Sequence, residues 1–356
     1  MKQAVQPSSN RRGDAAWPHV PASIPAGTRH ARTWPKVSLV TPSFEQGAFL
    51  EETILSVLNQ GYPDLEYVVF DGGSTDGSLD ILKRYGDQIT YWESVADNGQ
   101  SQAINKGWKR ATGKYIWWLN SDDMLMPGAL FQSVAYLEDH PGVGFVYGDL
   151  EIIDAGGMRK GRHRYADFIY EQVLQTGQDI SQAGALMRRD LLDRIGFLNE
   201  DLHFMMDLEY WHRLALDGID IHHLAEPLAL FRVYDETKTQ ASSARLIEER
   251  YRVARLITSH PRFHSTGDAA ASVWSSTHIA CARGYAKAGL FAPGLRECWR
   301  SLIRMPGRML SAGWWYLVLL NLAGMVLGRE GWLRLRRWLR SRRAGSVQTI
   351  NGERMP

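Results

Sequence analysis

The chain has 356 residues, of which 44% are hydrophobic and 22% charged, with a net charge of +2. These values suit a globular protein of one large domain plus a smaller one, and they exclude a global polyanion-binding surface. Only two cysteines, Cys281 and Cys298, are present, with no CxxC pair or Cys/His cluster. That argues against a structural zinc site and fits a reducing compartment.

Residues 1–32 are rich in Pro, Ala, Ser and Arg and lack the apolar run of a secretory signal. They read as part of a disordered leader, 1–33, with the fold starting near Trp34. Residues 37–40 (VSLV) predict a buried strand ending at Thr-Pro-Ser. The spacing of Leu50, Ile54, Val57 and Leu58 predicts a helix over 49–58, broken by Gly61-Tyr62-Pro63. Strands follow at 65–70, 89–92, 115–119 and 143–147, alternating with helices at 78–85, 100–110 and 127–140. This alternation predicts an α/β fold: an open, mostly parallel sheet with helices on both faces. Residues 151–176 read as a hairpin and a loop. A strand at 185–188, a helix to Ile195, an amphipathic helix at 206–216 and a strand at 227–233 complete a domain of 34–240. Helices at 245–257, 269–288 and 293–303 form an accessory region, 241–310, the last two as a hairpin across Gly289 and Pro293.

Three acidic clusters occur in this order: 71–78 (DGGSTDGS), 120–123 (NSDD) and 206–211 (MDLEYW). Asp71 and the second cluster fall at the carboxyl ends of predicted parallel strands, where such sheets bind ligands. Two glycines after Asp71 let the backbone approach a ligand closely, although an Asp/Gly turn with Asp76 or Ser78 capping the next helix reads equally well. Asp122 and Asp123 follow an aromatic strand, where paired acids need solvent or a cation, and oxygen ligands suit a hard one. A turn opening a helix explains the same acids without a ligand. Asp207 has two readings, a helix cap and a general base.

At these residues the chain resembles a known family. VSLVTPSFEQGAFLEETILSVLNQGYPDLEYVVFDGGSTDGS and DNGQSQAINKGWKRATGKYIWWLNSDDMLMPGAL look like an inverting glycosyltransferase of family 2 with the GT-A fold, over roughly residues 36–239. The resemblance implies that Thr41, Pro42 and Ser43 touch the nucleotide and that Asp71 recognises base or ribose. It places Asp97, Gln100 and Asn105 along the donor pocket. Asn120, Ser121 and Asp122 align with an Asp-x-Asp motif, so Mg²⁺ or Mn²⁺ is expected on Asp122 first and Asp123 second, Asn120 being a departure. Asp207 is the implied general base, with Glu209 as a substitute. Tyr234 stands where relatives often have His, leaving Arg232 or Lys238 for the diphosphate. The implied donor is a nucleotide-diphosphate sugar, UDP before other bases. The acceptor is a glycan or lipid-linked saccharide, and no nucleic acid partner is expected. A catalytically silent sugar-nucleotide-binding scaffold is the alternative that Asn120 and Tyr234 keep open.

Residues 313–328 are apolar except for Asn321, and 329–343 hold seven arginines and one acid. Sixteen residues fall short of the roughly 20 that cross a bilayer. The segment 311–343 reads either as an in-plane anchor on an anionic membrane surface or as a packed helix with a basic end, before a flexible tail at 344–356. The expected location is the cytoplasm, with a peripheral place on the inner face of the cell membrane if the anchor reading holds.

Overall fold

In the computed structural model, residues 33–176, 180–234, 244–263 and 267–348 are described. The leader 1–32, Lys238 and the tail beyond residue 348 lie outside them. The chain divides into two compact units. One comprises Met1–Tyr170, Gln178–Gln240 and His260–Phe263, and the other Glu171–Gly177, Ala241–Ser259 and His264–Pro356.

The first unit is built on a nine-stranded mixed sheet. Strands β1 (Val37–Ser43), β2 (Leu65–Asp71), β3 (Tyr91–Ser94) and β4 (Tyr115–Trp118) are mutually parallel in the order β3-β2-β1-β4. Such strands are covered on both faces, which is why β1 and β4 are buried throughout and β4 reads YIWW. One face carries Val37, Leu39, Tyr67, Val69, Tyr115 and Trp117 into a core shared with α1 (Leu50–Leu58), α2 (Ser78–Tyr85) and α4 (Ala129–Asp139). The alternate residues face α3 (Gln100–Arg110) and α7 (Met206–Leu216). Trp118 meets Trp108 edge-on and stacks on Trp211, each with ring centroids 5.4 Å apart. Helix α3 lies so close to β1 that a Cβ on Gly107 would sit 2.4 Å from Val40 Cγ1. Any side chain there must displace the helix.

The sheet keeps to the mostly parallel expectation, but its other half includes reversed strands. Strand β8 (Ala185–Arg188) runs antiparallel between β4 and β6 (Val143–Ile153), and β6 pairs in parallel with β9 (Asp220–Arg232). Strand β6 is six residues longer than predicted because its distal half forms a hairpin with the exposed β7 (Arg159–His163). Strand β9 starts seven residues before the predicted 227. Pro227, which stops a sequence-based strand, sits where the β6–β9 register shifts and no ladder donor is required. The two-residue β5 (Met124–Leu125), antiparallel to β9, is too short to show a period. The short helices α5 (Tyr170–Thr176) and α6 (Leu191–Ile195) complete the elements before α8.

The second unit holds α8 (Ala244–Thr258), α9 (Gly267–Ala288), α10 (Phe291–Arg304) and α11 (Ala312–Gln348), the last kinked at Gly328. Ala282, Cys298, Trp314 and Leu317 form its core. Both cysteines are buried free thiols. No helix among the described residues is long and apolar enough to cross a membrane.

Candidate active site

The carboxyl ends of β1 and β2 adjoin, with Ser43 opposite Asp71. Asp71 is buried, and its carboxylate accepts from Gly73 N–H (3.2 Å), Ser74 N–H (2.8 Å), Ser74 Oγ (2.6 Å) and Ser94 Oγ (2.7 Å). It therefore folds its own loop, which turns through Gly73 at φ +82°. The loop is laced to the end of β1. Glu45 accepts from Thr75, and Asp76 accepts from Gly47 N–H at 2.6 Å. The Thr41 hydroxyl meets Tyr67 OH at 3.1 Å inside the sheet. Pro42 is buried between Thr41 and Ser43, whose hydroxyl is buried without a hydrogen-bond partner. A Cβ on Gly72 would lie 3.2 Å from Phe44 and 3.3 Å from the Asp97 carboxylate, so those two side chains approach the glycine backbone. Phe44 is 61% exposed. Asp97 also accepts from Gly99 N–H at 2.8 Å.

The loop after β4 forms the second part. Asn120 Oδ1 accepts from Gln100 Nε2 at 2.6 Å, joining the starts of α3 and of the NSDD loop. Ser121 is buried. The two acids then diverge. Asp122 accepts from Tyr234 OH at 3.0 Å, and the same hydroxyl reaches Gln46 Oε1 at 3.3 Å. Asp123 is buried, with one oxygen taking Arg232 N–H (3.0 Å) and the other Gln182 Nε2 (3.2 Å). Burial, reinforced by the charge of Asp122, pushes the Asp123 carboxyl well above the usual carboxylate range. A protonated Asp123 would donate to Gln182 Oε1, a buried atom lacking a partner, once that amide is turned over. Burial and the neighbouring Asp122 charge likewise raise the Tyr234 phenol, so it stays a donor.

Arg232 holds this loop from below. Its guanidinium is 1% exposed and gives hydrogen bonds to the carbonyls of Asp122 (3.0 Å), Asp154 (3.3 Å) and Ala155 (3.0 Å) and to Glu52 Oε2 (2.5 Å). It also lies over the Phe49 ring. With these donors committed inside the fold, Arg232 is a scaffold for the acidic loop.

The third part is the segment entering α7. Ser101 Oγ donates to Leu202 O (2.9 Å), and the His203 ring stands 3.2 Å from a Cβ built on Gly99. Residues 198–205 thus lie against the start of α3, beside the Gln100–Asn120 pair. Asp207 follows in the first turn of α7, its Oδ1 accepting Leu208 N–H at 2.7 Å. Glu209 is different. It is buried and gripped by Arg213 at 2.8 and 3.0 Å, and Arg213 also ties the carbonyls of Ile195 and Phe197. Asn105 is equally committed, exchanging bonds with Leu198 N–H and C=O and donating to Glu200 Oε1 at 2.9 Å. Glu209 and Asn105 thus brace the loop before α7.

The sequence reading missed Gln46, Glu52 and Gln182. Glu52 sits in the first turn of α1, where an acid is expected on dipole grounds alone, and Gln182 lies in no motif.

Among the described residues, no group of three or more His, Cys, Asp or Glu is placed to hold a metal by itself. Magnesium-like ions commonly take one or two carboxylates and complete their shell with substrate phosphates and water. Asp122 fits that partial role, whereas Asp123 has both oxygens engaged within the fold.

Residues 38–196 match the family described as Glycosyl transferase family 2. The chain is 28% identical over 209 residues to a Bacillus subtilis protein, TuaG, assigned provisionally as a teichuronic acid biosynthesis glycosyltransferase. That match covers 57% of this chain and 81% of the relative. It is 28% identical over 202 residues to the O-antigen biosynthesis protein RfbC of Myxococcus xanthus, covering 54% of this chain and 16% of that one. Its fold is similar to S. aureus TarS, solved with UDP-GlcNAc, at a TM-score of 0.59 and 15% identity over 84% of this chain and 92% of that one. It is also similar to the Pyrobaculum calidifontis mannosyltransferase PcManGT, solved with GDP-Man and Mn²⁺, at a TM-score of 0.53 and 19% identity over 82% and 88%.

Proposed function

We propose that this glycosyltransferase is an inverting enzyme that moves a hexose from a nucleotide-diphosphate sugar to a hydroxyl of a glycan or lipid-linked saccharide. The observation that carries the reading is the split of the acidic pair. Asp123 is consumed by Arg232 and Gln182, while Asp122, in the loop after β4, accepts from the Tyr234 hydroxyl. A carboxylate so placed at the end of a parallel strand suits a cation that arrives with a diphosphate.

Asp122, with the Asn120 side-chain oxygen as a second donor, would hold Mg²⁺ or Mn²⁺, which when bound supplies positive charge against the departing diphosphate. Tyr234 donates to Asp122 and keeps it oriented. Gln100 fixes the Asn120 amide so that its oxygen direction is set. Phe44 and the Gly72 backbone offer an apolar face and a close backbone approach for a nucleotide base. Asp207 accepts the proton of the acceptor hydroxyl as its oxygen bonds to the anomeric carbon and the bond to the diphosphate oxygen breaks. One displacement inverts the anomeric centre, and the carboxylate leaves the step protonated.

Calorimetry with UDP and GDP, with and without Mn²⁺, tests the binding half of the reading. Binding lost on chelation and weakened in Asp122→Ala is expected. Equal binding without metal in wild type and variant would remove Asp122 from the site. Anomeric analysis of a transferred product tests inversion directly, and nucleotide binding without transfer to any saccharide would favour the silent scaffold.

A further inference from the structure

Helix α11 has two apolar faces and only one is used inside the fold. Trp314, Leu317, Asn321 and Gly324 are buried, a stripe at helical spacing. They pack on α9 and α10, with Trp314 Nε1 donating to Cys298 O at 3.2 Å and Gly324 leaving no room for a Cβ beside Phe291. The opposite stripe carries Trp315 (45% exposed), Leu319 (60%), Leu322 (45%) and Val326 (86%), again spaced four, three and four residues apart. Its upper end joins the turn at Pro306–Leu310, where Trp315 Nε1 donates to Met309 O at 2.8 Å and Leu310 is 93% exposed. A surface helix normally places polar residues there.

We propose that this stripe docks the helical unit onto an anionic lipid surface, with α11 lying in the plane of the interface. Two features select that occupant. The apolar part of α11 ends at Gly328, where φ is +65° and the backbone kinks, and no described helix is long and apolar enough to span a bilayer. Immediately beyond the kink the sequence places seven arginines and one glutamate in 329–343. An apolar stripe with an indole at one end and a polybasic segment at the other matches an acyl boundary beneath anionic headgroups. Pairing with a second copy fits less well. A parallel pair would crowd two sets of seven arginines, and an antiparallel one would lay arginines on an apolar stripe and strip their water.

The test is vesicle flotation of the full chain, using phosphatidylcholine alone and phosphatidylcholine with phosphatidylglycerol. Binding to the anionic vesicles only, falling with salt, is expected. Leu319→Asp combined with Val326→Asp, both at exposed positions, should weaken flotation at least tenfold while leaving the circular dichroism unchanged. Arg336→Glu with Arg337→Glu should weaken the anionic preference by about 25-fold, roughly fivefold for each arginine near the surface. Folded protein that floats with neither vesicle, or an aspartate variant that floats like wild type, overturns the proposal. So does a dimer in light scattering that the aspartate variant dissolves, which would assign the stripe to a second copy. The proposal does not rest on the transferase reading: an enzyme that transfers sugar yet never floats would refute this inference and leave the other standing.

Discussion

Replacing Arg232 by Met keeps the length of the side chain and removes its charge and donors. Three backbone carbonyls and Glu52 then lose their partner inside the first unit. Breaking one side of a buried ion pair costs about 3–5 kcal/mol. Glu52 is 33% exposed and partly rehydrates, which places the expected loss near the lower end, about 3 kcal/mol. For a domain of this size that lowers Tm by roughly 6–12 °C. Scanning calorimetry of the nucleotide-free full chain measures it. UDP titration well below the new Tm gives the second readout, and affinity there should fall by less than tenfold, because Arg232 shapes the loop without touching the ligand. An unchanged Tm with nucleotide affinity lowered thirtyfold or more would show Arg232 to be a diphosphate ligand and refute the scaffold argument.

Asp207→Asn should lower kcat by about 10²–10⁴ with intact nucleotide binding, as loss of a general base does. Glu209→Gln should instead lower Tm, because it unbalances Arg213, and retain most of kcat; the opposite ranking in steady-state assays would exchange their roles. Asp123→Asn should change stability at neutral pH by no more than about 1 kcal/mol, since the native carboxyl is already biased to its neutral form, and it should keep metal-dependent UDP binding. Loss of Mn²⁺ dependence in that variant would make Asp123 a ligand after all. Burial holds the His212 imidazole down at about 4, against its ordinary 6.5. The unfolded chain therefore binds the extra proton first, and stability falls as pH drops from 6.5 towards 4. The difference of about 2.5, at about 1.36 kcal/mol each, totals roughly 3 kcal/mol, of which about 2 is lost by pH 5. In urea melts His212→Phe should lose correspondingly less between pH 7 and 5, and parallel pH profiles would rule this out.

The parallel half of the sheet was legible because burial on both faces forces near-continuous apolar strands such as YIWW, and turn residues mark their ends. Helix α7 was predicted with its observed limits, Met206–Leu216, from one amphipathic period. The reversed direction of β8, whose limits were predicted, and the early start of β9 were not legible. The first residues of β9 are polar, and its Pro227 is tolerated only by a register shift that exists between strands and not within one. The same limit governs the site. Sequence motifs located the acidic loops, and the resemblance ranked Asp122 before Asp123 and Asp207 before Glu209, but the sequence held no physical reason for either order. Their surroundings differ mainly through partners far away in sequence, Tyr234 for Asp122 and Arg232 and Gln182 for Asp123, whereas Glu209 is held by Arg213 one helical turn on, itself tied to the Ile195 carbonyl.

The restraints that Arg232 and Tyr234 place on Asp122 span 110 and 112 residues of chain. At roughly 5–20 residues per second, a ribosome needs about 5–20 s to deliver them after the NSDD loop has emerged. During that interval β1 to β4 already have their sequence partners, yet the acidic loop lacks the buried guanidinium beneath it. The nascent domain thus acquires β1 to β4 well before it acquires a shaped acidic loop. A shortened gene stopping near residue 196, where the family match ends, would encode the first two acidic clusters and leave them without their fastening.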